Sequence, residues 1–191
     1  AAGNSNFCTT EGGVLFTKDL KTIVKYPAGR TSTSFKIPSS VTTIGNSSFY
    51  KANNLTSVTV QSGVTTIEKW GFCSMSNLQT ITLPDTLQTI GAYAFSSDKS
   101  LASISIPSSV TTIGSYAFQK SGLGVVTIPT SVTSMGDHAF NECKSLKTAY
   151  LSTKLNTIES YAFNGCTALT SIGIPGSVKK INERAFNGCT G

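Results

Sequence analysis

The sequence predicts a repeat solenoid of the α/β type. Its 23-residue units contribute mostly short parallel strands joined by short helical or 3₁₀ turns, behind an N-terminal β-hairpin cap. Three observations carry this reading. Phenylalanines recur at Phe49, Phe72, Phe95, Phe118, Phe140, Phe163 and Phe186, with spacings of 23, 23, 23, 22, 23 and 23. Five residues before each stands Ile44, Ile67, Ile90, Ile113, Met135, Ile158 or Ile181, and three before that Val41, Val64, Leu87, Val110, Val132, Leu155 or Val178. A Leu-x-x-apolar-x-apolar segment follows, as in Leu78, Ile81 and Leu83 or Leu169, Ile172 and Ile174. A unit this small cannot bury its own apolar face, so successive units must stack on one another. At ~4.8 Å per stacked strand, about seven units stand on the order of 35 Å tall.

Each element follows in order. Residues 1–31 read as the cap, because Gly13-Val14-Leu15-Phe16-Thr17 and Thr22-Ile23-Val24-Lys25-Tyr26 are β-prone runs flanking a polar turn. Residues 32–191 read as the array. Its Leu-x-x-Ile-x-Ile strands end at Pro38, Pro84, Pro107, Pro129 and Pro175, where a missing N–H stops ladder pairing. Val-Thr-Thr-Ile-Gly comes next, β-branched and extended, turned at Gly45, Gly91, Gly114 and Gly136. The Tyr-Ala-Phe-x-x-Cys stretch is too short for a regular helix and is expected to form one helical or 3₁₀ turn. The single short spacing places a missing residue between Phe118 and Leu123. The last residues, Asn187 to Gly191, stop part way through a unit, which reads as a C-terminally truncated array or as a face covered by a second copy.

The pattern Leu-Thr-Ser-Ile-x-Ile-Pro-Ser-Ser-Val-Thr-Thr-Ile-Gly-x-Tyr-Ala-Phe-x-Gly-Cys resembles the BspA-like (TpLRR-type) class of leucine-rich repeat. Ala102 to Phe118 and Tyr161 to Pro175 match it nearly throughout, and the resemblance runs from about residue 35 to the end. Leu123-Gly124-Val125 and Gln61, which stands where Pro is expected, depart from it. The resemblance implies a non-catalytic, cell-surface or secreted protein that mediates protein–protein binding. It further implies adhesion to host matrix proteins or host cells. The alternative is a structural, self-assembling solenoid that forms a homodimer through its C-terminal end.

Composition points the same way. Charged residues are 13% of 191, against roughly 25% in soluble domains, and the gap is filled by 27 Ser and 27 Thr. No apolar run approaches the ~20 residues of a membrane span. With His138 the single histidine and no Cys-x-x-Cys pair, neither catalytic residues nor a metal site nor a cofactor is expected. Cys143, Cys166 and Cys189 form one column, three residues after their Phe, and read as small buried hydrophobes. Net charge is +6, with basic ends and a mildly acidic middle. The lysines scatter over different columns, so nucleic acid is not an expected partner.

Two surfaces are candidates for binding. On the strands, the residues between the apolar ones face outward, and from these come Lys36, Thr59, Thr82, Ser105, Thr127, Thr148 and Tyr150. The resemblance makes this the concave, partner-facing side. The second is the column two residues before each Phe, namely Trp70, Tyr93, Tyr116, His138 and Tyr161. Its plainer reading is packing. Asp137, the acid nearest His138, is expected to project elsewhere.

Overall fold

Residues 4–10 and 12–191 are described by a computed structural model, and residues 1–3 and 11 of the expected cap lie outside them. Strands β1 (Phe7–Thr9), β2 (Leu15–Thr17) and β3 (Thr22–Lys25) form an antiparallel meander, with Cys8 opposite Phe16 and Phe16 opposite Ile23. The expected hairpin is β2–β3. Asp19 shapes its turn, because one carboxylate oxygen accepts both the Thr17 hydroxyl at 2.7 Å and the Lys21 amide at 3.0 Å. β1 adds a strand that its three residues did not announce.

β3 then pairs in parallel with β5 (Thr43–Ile44), placing Ile23 beside Ile44, so the parallel array grows directly from the meander. The β-branched Thr-Ile pairs continue this sheet as β7 (Thr66–Ile67), β9 (Thr89–Ile90), β10 (Thr112–Ile113) and β12 (Ser134–Met135). β14 (Thr157–Ile158) and β16 (Lys180–Ile181) pair separately. The Leu-x-x-Ile-x-Ile segments form β4 (Ser34–Lys36), β6 (Ser57–Thr59) and β8 (Thr80–Thr82) in one ladder. A second ladder holds β11 (Val125–Thr127), β13 (Thr148–Tyr150) and β15 (Ser171–Gly173).

Between those ladders lies an interruption. Residues 101–107 form no strand, although their sequence follows the repeat closely, and neither β8 nor β11 pairs with them. The neighbouring Thr-Ile sheet remains continuous at the same level, through β9–β10–β12.

The core is a set of columns. Phe49, Phe72, Phe95, Phe118, Phe140 and Phe163 are fully buried. Successive rings from Phe49 to Phe186 stack with centroids 4.9–5.6 Å apart. Ile44, Ile67, Ile90, Ile113, Met135 and Ile158 form the parallel column beside them.

The expected helical turns are absent, and with them the α/β assignment: among the described residues the fold is a parallel β-solenoid of about seven turns. The reason lies in where the amides point. Around each Phe they alternate: Trp70, Phe72 and Ser74 donate to Ala92, Ala94 and Ser96 of the next layer, while Gly71 and Cys73 close turns onto Glu68 and Trp70. A helix would need every amide for its own chain. Here half are spent between layers.

The geometry follows from left-handed residues on either side of Phe. Trp70, Tyr93, Tyr116, His138 and Tyr161 all have φ of 57–61°, and Ser74, Ser97, Lys120 and Glu142 repeat this two residues after Phe. Each such non-glycine residue costs ~1–2 kcal/mol, offset by an interlayer hydrogen bond and a stacked side chain. The glycines expected to make the turns serve another end. A Cβ on Gly91 would meet the Ile67 carbonyl oxygen at 2.6 Å, so glycine there permits close approach of layers.

Candidate binding surfaces

The strand face is built in two pieces. Lys36, Thr59 and Thr82 are register partners across β4–β6–β8. Thr127 and Tyr150 are partners across β11–β13, with Thr148 beside Val125. Ser105 belongs to the interrupted level and lies in no strand. A recess of about 490 Å³ brings Ser105 and Thr127 together with Ser103, Val125 and Pro129, while Lys36, Thr59 and Thr82 lie apart from it.

Two large side chains stand out on this second piece. Val125 is 50% exposed and Tyr150 56% exposed. Tyr150 was an expected site residue; Val125 was not, although it is the only apolar member of an outward column that otherwise reads Ser34, Ser57, Thr80, Ser103, Thr148 and Ser171. That substitution was the available signal.

The aromatic stripe forms a continuous half-buried stack. Tyr93 and Tyr116 lie 4.5 Å apart at 3°, Tyr116 and His138 4.3 Å at 15°, and His138 and Tyr161 4.6 Å at 8°. Cations end it. Lys69 Nζ sits 4.1 Å from the Trp70 ring centre, and the Arg184 guanidinium donates to the Tyr161 hydroxyl oxygen at 3.0 Å. Such pairs stabilise by ~0.5–1 kcal/mol where exposed. At the Trp70 end a recess of about 420 Å³ opens beside Tyr50 and Cys73.

Asp137 does not project away from His138; its carboxylate lies 3.3 Å from Nδ1. With both ring faces covered by tyrosines, that contact orients a stacked imidazole.

The cysteine column is packed and hydrogen-bonded. Cys143, Cys166 and Cys189 each donate through Sγ to the carbonyl of Phe118, Phe140 or Phe163 in the preceding layer, at 3.0, 3.1 and 3.2 Å. Burial pushes the Cys143 thiol up to about 11 and raises Cys166 and Cys189 as well. All five cysteines are free, so Cys8 and Cys73 are not joined. The same column holds Asp98, fully buried, with one oxygen accepting the Met75 amide at 2.8 Å and the other without a partner. Burial holds this carboxyl well above its ordinary range. Among the described residues, no group of three or more His, Cys, Asp or Glu is placed to hold a metal ion.

A family model for the BspA type leucine rich repeat region matches in six copies, over residues 28–147 and 72–191. A leucine-rich repeat protein from T. pallidum is 28% identical, with a TM-score of 0.84 over 100% of this chain and 88% of that one. One from Bacteroides ovatus is also 28% identical, with a TM-score of 0.81 over 97% of this chain but 50% of the other, so this chain spans half that relative's length. A leucine rich cell surface protein from Faecalibacterium prausnitzii, 23% identical, shares the fold with a TM-score of 0.58 over 90% and 38%. No curated protein matches the chain.

Proposed function

Since this chain belongs to the BspA-type leucine-rich repeat family, we propose that it is a non-catalytic scaffold that binds a protein partner through the β11–β13–β15 part of its strand face. The observation that carries this is the pair Val125 and Tyr150, both at least half exposed on adjacent strands, with Val125 lining the 490 Å³ recess. Binding energy concentrates in a few aromatic or apolar anchors, and Tyr is among the commonest. A stacked β-solenoid holds such anchors rigidly, so little conformational freedom is lost on association.

The one histidine and three of the five cysteines are engaged in packing. His138 lies between two tyrosines and three thiols donate to carbonyls. Among the described residues no helix is long and apolar enough to cross a membrane. The proposed setting is the cell surface or the medium, and the proposed partner a host matrix or host-cell protein, a reading that the family membership supports.

The test is surface plasmon resonance of the purified chain against a panel of extracellular-matrix and cell-surface proteins. Tyr150→Ala and Val125→Ser are each expected to weaken binding by about tenfold or more. Thr82→Ala, on the other ladder, is expected to leave it unchanged. Equal effects from all three would overturn the assignment of this face.

A further inference from the structure

The ring column starts one layer late. Two residues before each Phe stand Trp70, Tyr93, Tyr116, His138 and Tyr161, each ring centre 4.3–5.8 Å from the next. In the layer before Trp70 the same position is Ser47. Trp70 therefore has a ring partner, Tyr93, toward one neighbouring layer only. Toward the other, a recess of about 420 Å³ is lined by Ser47 and Trp70 together with Tyr50, Cys73 and Ser74.

Interlayer bonding fixes this space. The amides of Ser47, Phe49 and Lys51 donate to the Lys69, Gly71 and Cys73 carbonyls at 3.1, 2.8 and 3.2 Å, so the two turns that wall it are tied to each other. Small-molecule sites run from ~300 to 1,000 Å³, and walls already held in place lose little freedom when the space is filled.

Its chemistry is mixed. Trp70 and Tyr50 supply ring surface, and Tyr50 is 38% exposed. Ser47 and Ser74 supply hydroxyls. Three ammonium groups gather around them. Lys69 Nζ lies 4.1 Å from the Trp70 ring centre, Lys51 Nζ lies 5.2 Å from that of Tyr50, and Lys25 Nζ donates to the Ser47 carbonyl at 2.8 Å. None of the three makes an ion pair among the described residues. The one acid in residues 45–51 and 68–74 is Glu68, whose carboxylate accepts the Asn46 amide at 2.8 Å. Positive charge beside a concavity draws anions to it.

We propose that this recess binds an acidic sugar, a pyranose ring carrying a carboxylate or a sulfate, at a site separate from the strand face. The C–H groups of the sugar ring lie against the electron-rich face of Trp70 and continue the column where Ser47 supplies no ring. Sugar hydroxyls meet Ser47 and Ser74, and the anionic group meets Lys51 and Lys69. An aromatic side chain of a protein partner would stack on Trp70 but leave the ammonium groups unanswered. A small inorganic anion would answer the ammonium groups and leave the rings bare.

Trp70 is the one tryptophan, so its emission reports on the site directly. The whole chain is titrated with sialyllactose, trigalacturonate and a sulfated chondroitin disaccharide, with lactose as the neutral comparison. At least one acidic sugar is expected to change the emission saturably, and lactose is not; which one does so separates carboxylate from sulfate. Ser47→Tyr supplies the missing ring. Tyr93 and Tyr116 hold φ of 58° and 61°, close to the 53° of Ser47, so this variant is expected to fold and to melt no lower than the wild type. Its affinity for the sugar is expected to fall about tenfold or more, because the new ring occupies the space. Lys51→Gln/Lys69→Gln is expected to cost about tenfold and to flatten the salt dependence of binding, while Tyr150→Ala costs nothing. Silence toward all three acidic sugars, an equal response to lactose, or full affinity in folded Ser47→Tyr would each overturn the proposal. A response to a tryptophan-free, tyrosine-containing peptide in place of the sugars would reassign the recess to a protein partner.

Discussion

Replacing Phe118 with alanine removes a ring from the middle of the buried stack. Its neighbours Phe95 and Phe140 lie 5.4 and 5.1 Å away, tilted by 8° and 7°, and Phe118 itself is 0% exposed. Truncating a buried Phe costs ~3–5 kcal/mol. The upper end applies here, because the backbone around Phe118 is tied to the next layer through the Ala139 carbonyl and cannot collapse into the hole. About 5 kcal/mol is a large share of the ~5–15 kcal/mol that holds a domain folded. Phe186→Ala is the control: half-buried, with one stacked neighbour at 5.6 Å, it should lose about half as much.

Because each layer touches only its neighbours, the central lesion also weakens coupling between the two halves. The assay is urea unfolding followed by far-ultraviolet circular dichroism and by fluorescence of Trp70, the one tryptophan, which lies on the N-terminal side. The wild type should give coincident transitions. Phe118→Ala should lower the midpoint and separate the two signals. A loss below about 2 kcal/mol, or one equal to that of Phe186→Ala, would refute column stacking as the main source of stability.

Asp98 gives a pH test. Above its ordinary value of 3.8 the unfolded chain ionises here, while the buried carboxyl keeps its proton. Stability from this residue is therefore full below that pH and falls as pH rises toward the raised native value, by at most ~1.4 kcal/mol per unit. Asp98→Asn should flatten the slope and stabilise the chain at neutral pH; an unchanged melting profile would contradict this. Thiol titration at pH 8 should modify the part-exposed Cys8 and Cys189 quickly, and Cys73, Cys143 and Cys166 only on unfolding. Five fast thiols would contradict the packing of the column. Gly91→Ala should cost ~1–3 kcal/mol by forcing two layers apart, and a neutral result in thermal melts would show that the layers can slide.

The period, the hairpin and the identity of the core columns could be read from residues alone, because a stacked unit repeats its burial at every turn. The conformation around each Phe could not. Tyr-Ala-Phe suits a helical turn locally, and only the presence of a next layer, whose carbonyls take alternate amides, decides against it. The interrupted strand was hidden for a related reason. Ala102–Ile106 follows the repeat closely, yet a ladder belongs to two segments, and neither β8 nor β11 pairs with this one. The recess lined by Lys99, Lys120, Glu142 and Lys144 left a trace in the spacing of 22, which marked its position but not its charge. Tyr150 stood out as an aromatic in a hydroxyl carpet, and Val125 could have been recognised by the same contrast.

The alternating amides around each Phe also settle how the molecule answers a pull. Loaded along the stacking axis, the interlayer bonds lie in line with the force and open one row after another, like a zipper, and not all together in shear. Resistance at each step then depends on how many rows bind that layer to the next. The level at residues 101–107 has lost its outer strand rows and keeps those of the β9–β10–β12 sheet and the Phe turns. A second level is weakened in the complementary way, since the Thr-Ile sheet breaks between β12 and β14 while the β11–β13 ladder holds, so tension from the two ends parts the molecule first at one of these two levels. These irregular levels are thus mechanical fuses, yielding early and protecting the layers on either side.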